Sequence, residues 1–336
     1  MSLKVIAKNL GLSITAVSRA LNGYSDISEE TRNIIKAEAE RISYQPNTNA
    51  QRLKKGKSDA VGLIYPYASS LSSDFFFAMV GAIGHHLAKQ GVDLLLITDD
   101  QQDDYQPFIR LIEGGRIDAL IVAHTLEQDP RLALLQQKKM PFLALGRSQL
   151  PQPYAWFDFD NRLGLEMATE HLISLGHRRI SLLSQDCQQA FVMQRRQGYC
   201  DTLKRHNLPS SIFLKAVDVT RRAGYRATLD LLALPDPPTA IISDGNVHGE
   251  GAVAALHDAG RLTGPDAVAI IVYDGLPEDC LTGIDATAII QATREVVGNQ
   301  IAQMTLALMA GQPVDKLQML WEPTLRQGTT TFALTH

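Results

Sequence analysis

Ser13-Ile14-Thr15-Ala16-Val17-Ser18-Arg19-Ala20-Leu21-Asn22-Gly23 sorts its residues onto two faces. Ala16, Val17, Ala20 and Leu21 recur at the spacing that makes one apolar stripe on a helix, and Ser13 suits the N-cap. Ile14, Thr15, Ser18, Arg19 and Asn22 lie off that stripe. Upstream, Val5-Ile6-Ala7 and Leu10 show the same spacing, and Gly11-Leu12 breaks the pattern at a residue that reverses the chain at low steric cost. Two helices joined by a short Gly-containing turn make a helix-turn-helix. The polar face of the second helix carries the side-chain types that reach base edges and phosphates.

Downstream, Ser28 caps a third helix with Glu29, Glu30 and Thr31 in its first turn, running to about Ile42. Pro46 then stops or opens a helix. Asn47 to Leu53 is too short to be a stable helix alone, and Lys54-Lys55-Gly56-Lys57-Ser58 reads as a basic linker. The charge agrees with this division. Of 336 residues carrying a net charge of −4, the first 57 hold ten Lys/Arg against five Asp/Glu, a net of +5 that leaves −9 on the remaining 279. A small module for a polyanion joined to an acidic body is the expected organisation.

The body alternates short apolar runs with helical patterns. Strands are expected at Ala60–Tyr65, Val92–Thr98, Ala119–Ala123, Phe142–Leu145, Ile180–Leu183, Ala240–Ser243 and Val268–Tyr273. Helices are expected at Ala78–Gln90, Asp104–Glu113, Leu163–Leu175, Arg196–His206, Gly224–Leu232 and Gly249–Ala259. Strands apolar on both faces that alternate with helices predict parallel sheets covered on both sides. About 270 residues of this pattern suit two lobes, with a ligand at the carboxyl ends of the strands. At those ends stand Phe75-Phe76-Phe77, Gly146-Arg147, Arg195-Arg196, Ser243-Asp244 and Tyr273-Asp274. Aromatic faces and charged hydrogen-bonding groups are what a sugar needs.

Other classes find less in the sequence. Walker A, GxGxxG after the first strand, GxSxG and HExxH patterns are missing, so neither an enzyme, a metal site nor a cofactor is expected. His85 and His86 are adjacent on a helix and point apart. Cys187, Cys200 and Cys280 are an odd, widely spaced set that fits a reducing cytoplasm. No secretory signal opens the chain and no run nears the roughly 18 apolar residues of a membrane span, so a cytoplasmic protein with no membrane partner is expected.

Four blocks in order, Ser13–Gly23, Ile27–Arg32, Tyr44–Asn47 and Ala50–Leu53, resemble the DNA-binding segment of the LacI/GalR family of regulators. Leu175-Gly176-His177-Arg178-Arg179-Ile180 and Pro238-Thr239-Ala240-Ile241-Ile242-Ser243-Asp244 resemble its regulatory core. The resemblance implies an N-terminal all-α helix-turn-helix domain (1–46) and a hinge helix with linker (47–59). It further implies an α/β core like the periplasmic sugar-binding proteins, made of two doubly wound parallel-sheet lobes. The expected boundaries are 60–160 plus 289–320 for one lobe and 161–288 plus 321–336 for the other.

Roles follow from the same resemblance. Ile14, Thr15 and Arg19 would enter the major groove of double-stranded operator DNA, while Ser13, Ser18, Asn22, Ser28 and Thr31 would hold phosphates. Asn47 and Ala50 belong to the hinge, and Leu53 would wedge the central base step from the minor groove. In the core, Phe75 and Phe76 would stack on a sugar ring, with Arg147, Arg195, Asp274 and Gln291 as polar contacts and Ser243-Asp244 at another strand end. Ser243 departs from a commoner Asn, and Val219 from a frequent aromatic. Tyr154–Asn161, Thr220–Tyr225 and Val272–Pro277 resemble members of the family that respond to α-galactosides such as melibiose or raffinose. The implied protein is a homodimeric repressor, two helix-turn-helix units matching a palindromic operator, released when sugar closes the crevice and the hinge helices melt. The alternatives are a regulator of a different small ligand, a corepressor-dependent repressor or activator, and, in another class, a sugar-binding transport protein.

Overall fold

Three helices, α1 (Leu3–Leu10), α2 (Ile14–Leu21) and α3 (Glu29–Arg41), open the chain. The computed structural model describes residues 3–22, 24–44, 56–66, 74–99, 105–208, 213–277, 279–280 and 283–334. It divides into two units, residues 1–57 and 58–336. In the first unit Gly11 takes a left-handed φ of +65° and Leu12 N–H donates to the Ala7 carbonyl at 2.9 Å, the hydrogen bond that closes a helix before a turn. Ser13 Oγ accepts from Ala16 N–H at 3.0 Å and starts α2; Ser28 Oγ accepts from Thr31 N–H at 3.3 Å and starts α3. Ile6, Val17, Ala20 and Ile35 are fully buried where the three helices meet. On the surface Glu38 ties α3 to α1, accepting from Asn9 Nδ2 at 2.7 Å and pairing with Arg41. Hydrogen bonds from Arg41 first, and Asn9 second, hold the Glu38 carboxyl down at about 2.

From Ser58 the chain alternates strand and helix. β1 (Ala60–Pro66), α4 (Asp74–Ala88), β2 (Asp93–Asp99), α5 (Gln106–Glu113), β3 (Ala119–Val122), α6 (Pro130–Gln137), β4 (Phe142–Leu145) and β5 (Ala155–Phe159) build a first lobe. A second lobe follows in α7 (Asn161–Ser174), β6 (Ile180–Gln185), α8 (Ala190–Arg205), β7 (Leu214–Val217), α9 (Arg221–Leu232), β8 (Ala240–Ser243), α10 (Asn246–Asp258), β9 (Ala269–Tyr273) and β10 (Thr287–Ile290). Then α11 (Arg294–Met309) and β11 (Gln318–Trp321) return to the first, and β12 (Thr324–Arg326) ends in the second.

Both lobes share one winding. The first sheet runs β2-β1-β3-β4-β5-β11, all parallel; the second runs β7-β6-β8-β9-β10-β12, parallel except for β12 against β10. In each, the chain reverses its direction of travel beside the first strand, which leaves a crevice at the carboxyl ends. The strands β3, β8 and β9 are buried at every residue, because helices cover both faces. Where helices pair, small residues let them touch. A Cβ on Gly298 of α11 would lie 2.5 Å from Ala82 Cβ of α4.

Five strands lie outside the expected set: β5, β7, β10, β11 and β12. Three of them, β7, β11 and β12, are sheet edges of only three or four residues with half of them or more open to solvent, too short to show as strands. The expected lobe boundary at 289 falls inside β10, which pairs with β9 and β12, so the second crossing lies at residues 291–293. Likewise Trp321 pairs with Phe159 in the first sheet, and the third crossing lies at 322–323. Among the described residues no helix is long and apolar enough to cross a membrane.

Candidate ligand crevice and nucleic-acid-reading surface

In the second unit a cavity of about 200 Å³ opens between the two sheets, lined from both lobes. Phe76, His124, Gly146 and Asp158 come from the first; Asn161, Phe191, Arg195, Asn246 and Asp274 come from the second, with Gln291 on the crossing. Asn246, Asp274 and Gln291 also line a neighbouring cavity of about 390 Å³ that continues toward Leu276, Asp279 and Arg294.

Arg195, expected at the start of a helix, sits in the second turn of α8, which begins at Ala190. It is buried, and its position is fixed from all sides. Nε donates to Asn161 Oδ1 at 2.9 Å and Nη1 donates to the Asp244 main-chain carbonyl. The guanidinium carbon lies 3.5 Å from the Tyr273 ring centroid and 5.0 Å from that of Phe191. Stacking between two rings holds a charge in a low-dielectric site, since a guanidinium is weakly hydrated and planar.

Asp274 follows β9 with a left-handed φ of +66°, which turns its carboxylate toward the crevice. Burial raises its pKa to about 6, an effect that Arg195 opposes and Asp244 adds to. Gln291 Nε2 donates to Tyr273 Oη at 3.3 Å. Phe76 is buried, its ring 5.2 Å from that of His124. Burial first, and Arg131 second, bring the His124 imidazole down to about 4, so it is neutral near pH 7. An aromatic wall, a carboxylate acceptor, a fixed guanidinium and carboxamides facing one cavity suit a ligand rich in hydroxyl groups.

The remaining expected contacts stand elsewhere. Arg147 does not line the cavity; its Nε donates to the lining Asp158 at 3.0 Å and its Nη2 to Gln194 Oε1 at 3.2 Å, linking the lobes. Ser243 is fully buried with Oγ donating to the Gly245 carbonyl at 2.9 Å, and it does not reach the cavity. Asp244 is fully buried too, accepting from Ser184 Oγ at 2.7 Å and from the Gln185 N–H at 3.1 Å. His248 Nε2 is 3.0 Å from its Oδ1, close enough for an ion pair but off the line of a good hydrogen bond. Burial alone would raise the Asp244 pKa, and His248, Arg195 and Ser184 together bring it below the ordinary value. The side chain of Phe75 lies outside the described residues.

Sequence reading missed Asn161, His124, Asn246 and Phe191. A single Asn or His carries no spacing signal, and only its place at a strand end would have singled it out.

On the first unit, Ile14, Thr15, Arg19 and Asn22 are exposed along α2 and Ser18 is half-buried. Ile14 is 45% exposed beside Thr15 on the open face of α2. Ser13 and Ser28 are helix caps, and the Ser28 and Thr31 hydroxyls meet at 2.8 Å at the start of α3. Arg19 makes a two-point contact with Asp26, Nε to Oδ1 at 3.2 Å and Nη2 to Oδ2 at 2.7 Å, and its guanidinium carbon lies 4.8 Å from the Tyr24 ring centroid. Asn47, Ala50 and Leu53 lie outside the described residues.

Residues 2–47 match the model of bacterial regulatory proteins of the lacI family, and residues 58–318 match that of periplasmic binding proteins and the sugar-binding domain of the LacI family. The HTH-type transcriptional regulator RafR of Escherichia coli is 49% identical over 331 residues, 98% of each chain. A transcriptional regulator from Yersinia pestis, solved by crystallography, is 47% identical with a TM-score of 0.79, over 82% of this chain and 99% of that one. The Lac repressor dimer bound to operator and the anti-inducer ONPF shares the fold, with a TM-score of 0.87 at 24% identity over 99% of both chains. With a helix-turn-helix of lacI type and a sugar-binding core that together match nearly its whole length, the chain belongs to the LacI family of DNA-binding transcriptional regulators.

Proposed function

We propose that this regulator represses a sugar-utilisation operon as a homodimer and leaves its operator when an α-galactoside fills the crevice. The observation that carries the reading is the convergence of Phe76, Arg195, Asp274 and Gln291, four residues expected from sequence, on one cavity between the lobes. The segments that resemble the α-galactoside-responsive members of the family supply Asp158, Asn161, Asp274, Leu276 and Pro277 to the walls of the two cavities. Their continuity past Asp274 and Gln291 favours an oligosaccharide over a single ring. Arg147 and Asp244 then act one step back from the sugar, Arg147 through Asp158 and Asp244 through the carbonyl that holds Arg195. The deciding experiment is calorimetric titration of the protein with melibiose, raffinose, galactose and lactose, each repeated as an operator-release assay. An α-galactoside that binds without releasing operator removes the induction model; a panel with no binder removes the ligand class.

Asp274 gives that binding a pH dependence. Its ionised carboxylate accepts sugar hydroxyls more strongly than the neutral acid does, so affinity is full well above pH 6 and falls below it, by at most about tenfold per pH unit. Stability runs the other way. A carboxyl whose folded pKa is raised contributes stability at low pH and loses it as pH rises through about 6. Asp274→Asn should flatten the affinity profile between pH 5 and 7, which isothermal titration at three pH values measures.

For DNA, we infer that Ile14, Thr15 and Arg19 read bases while Ser13, Ser18, Asn22, Ser28 and Thr31 fix register through phosphates. Arg19→Ala should lose discrimination at one base pair per half-site, a cost of roughly 1–3 kcal/mol. Lys57→Ala should instead lower affinity for all sequences and flatten its salt dependence. The hinge residues Asn47, Ala50 and Leu53 would fold on the operator, with Leu53 at the central step. The dimer would form along helices including α4, where Phe77 remains exposed.

A further inference from the structure

The loop between α2 and α3 does more than connect them. It brings Tyr24 beneath the Arg19 guanidinium, 4.8 Å from carbon to ring centroid, and sets Asp26 against its side. The contact uses one particular edge. Asp26 takes the Nε and Nη2 donors, which are the side-on pair of the planar fork. The end-on pair, one hydrogen each on Nη1 and Nη2, has no partner among the described residues. That edge is the one whose two parallel donors match guanine O6 and N7.

The loop is itself held. Arg32 of α3 donates through Nη2 to the carbonyls of Tyr24 at 2.9 Å and Ile27 at 3.4 Å, the two residues that bracket the Asp26 turn. Ser28, not Asp26, caps α3, so the Asp26 carboxylate is not taken up in starting the helix.

We propose that Asp26 is a specificity-determining positioning residue, which orients Arg19 so that its end-on edge faces a guanine. Free arginine side chains on a surface sample many rotamers, and ordering one on binding costs affinity for the correct base. A carboxylate and a ring that fix the plane beforehand remove that cost only for the base the fixed fork fits. Asp26 also repels phosphates. Its presence therefore weakens sequence-independent binding and sharpens the difference between operator and other DNA.

This inference rests on Arg19 reading a base, and the test separates the two. Full-length protein selects an operator duplex from a random library, and a panel then replaces each base pair of both half-sites symmetrically. Wild type, Arg19→Ala, Asp26→Ala and Asp26→Asn are titrated by fluorescence anisotropy against the panel and a scrambled duplex. Thermal melts confirm that each variant is folded. Arg19→Ala should lose roughly tenfold or more of the preference at one base pair. Asp26→Ala should lose at least half of that preference, counted on a logarithmic scale, at the same base pair, and bind the scrambled duplex more tightly. Asp26→Asn keeps an acceptor for Nε and should fall between. If Arg19→Ala leaves every position unchanged, the assignment of Arg19 to a base is wrong. If Arg19→Ala acts and Asp26→Ala leaves that base pair unchanged, sharpens it or alters another one, Asp26 is not the positioning residue.

Discussion

Arg195→Ala should bind operator as tightly as the unaltered protein and fail to respond to sugar. The guanidinium is buried between the Tyr273 and Phe191 rings and forms part of the cavity wall. A charged hydrogen bond to a ligand is worth about 1.5–3 kcal/mol, and two taken by one guanidinium amount to a loss of roughly 100-fold or more in sugar affinity. Truncation also removes the shorter of two hydrogen bonds to the Asn161 Oδ1 and to the Asp244 carbonyl, leaving only Tyr273 Oη at 3.4 Å and Gln185 Nε2 at 3.5 Å. A buried hydrogen bond lost from each is worth about 0.5–1.5 kcal/mol, and the lost ring stacking adds to it, so the core should melt a few degrees lower. Arg195→Lys separates the two effects. It keeps the charge, loses the planar fork and the stacking, and should recover more of the stability than of the sugar binding. Operator binding is measured with and without sugar for both variants. A response to sugar that survives Arg195→Ala would remove this residue from the ligand site.

Gly224→Ala and Gly251→Ala should each destabilise the core by about 3 kcal/mol or more, although neither residue lines the cavities. A Cβ on Gly224 would lie 1.9 Å from the His248 carbonyl oxygen, and one on Gly251 would lie 1.9 Å from that of Arg221. Helices α9 and α10 therefore touch through their backbones, and a methyl group must push them apart. Overpacking of this kind costs typically 1–3 kcal/mol where a side chain can yield, and more here because the obstacle is main chain. For a unit of this size each kcal/mol moves the midpoint by about 2–4 °C, so a fall of roughly 6–12 °C is expected in a calorimetric scan. Both methyl groups demand the same separation of the two helices, so the double variant should lose less than the sum of the single ones. The displacement would also carry Asn246, at the start of α10, away from the crevice.

What could be read from the sequence follows apolar runs and not burial alone: the exposed edge strand β2 shows in Leu94-Leu95-Leu96-Ile97, and the short, buried β10 does not. The central strands β1, β3, β8 and β9 were visible because a strand covered on both faces must be apolar throughout. β5 was not, since Asp158 interrupts Ala155–Phe159 and becomes tolerable only once Arg147 reaches it in space. The helix-turn-helix was legible to the residue, because its caps and its stripe are local. In the crevice, Asp274 lines the cavity from a strand end as expected and Arg195 from within α8, whereas Ser243 and Asp244 are packed behind the wall. Sequence position at a strand end does not say whether a side chain faces the ligand or the packing behind it. Asn161 emerged only from its contact with Arg195, 34 residues away.

The return of β11 to the first sheet has a consequence for synthesis. Gln318 pairs with Trp156 and Trp321 with Phe159, so β5 cannot receive its outer neighbour until almost the whole chain has left the ribosome. During that interval the nascent first lobe carries an open edge with Phe157 and Phe159 beside it, the kind of template on which chains pair with one another. The second lobe must meanwhile fold beyond it, and only the last crossing closes both. Slow or truncated translation after residue 290 should thus be more damaging to yield than the short length of the missing piece suggests.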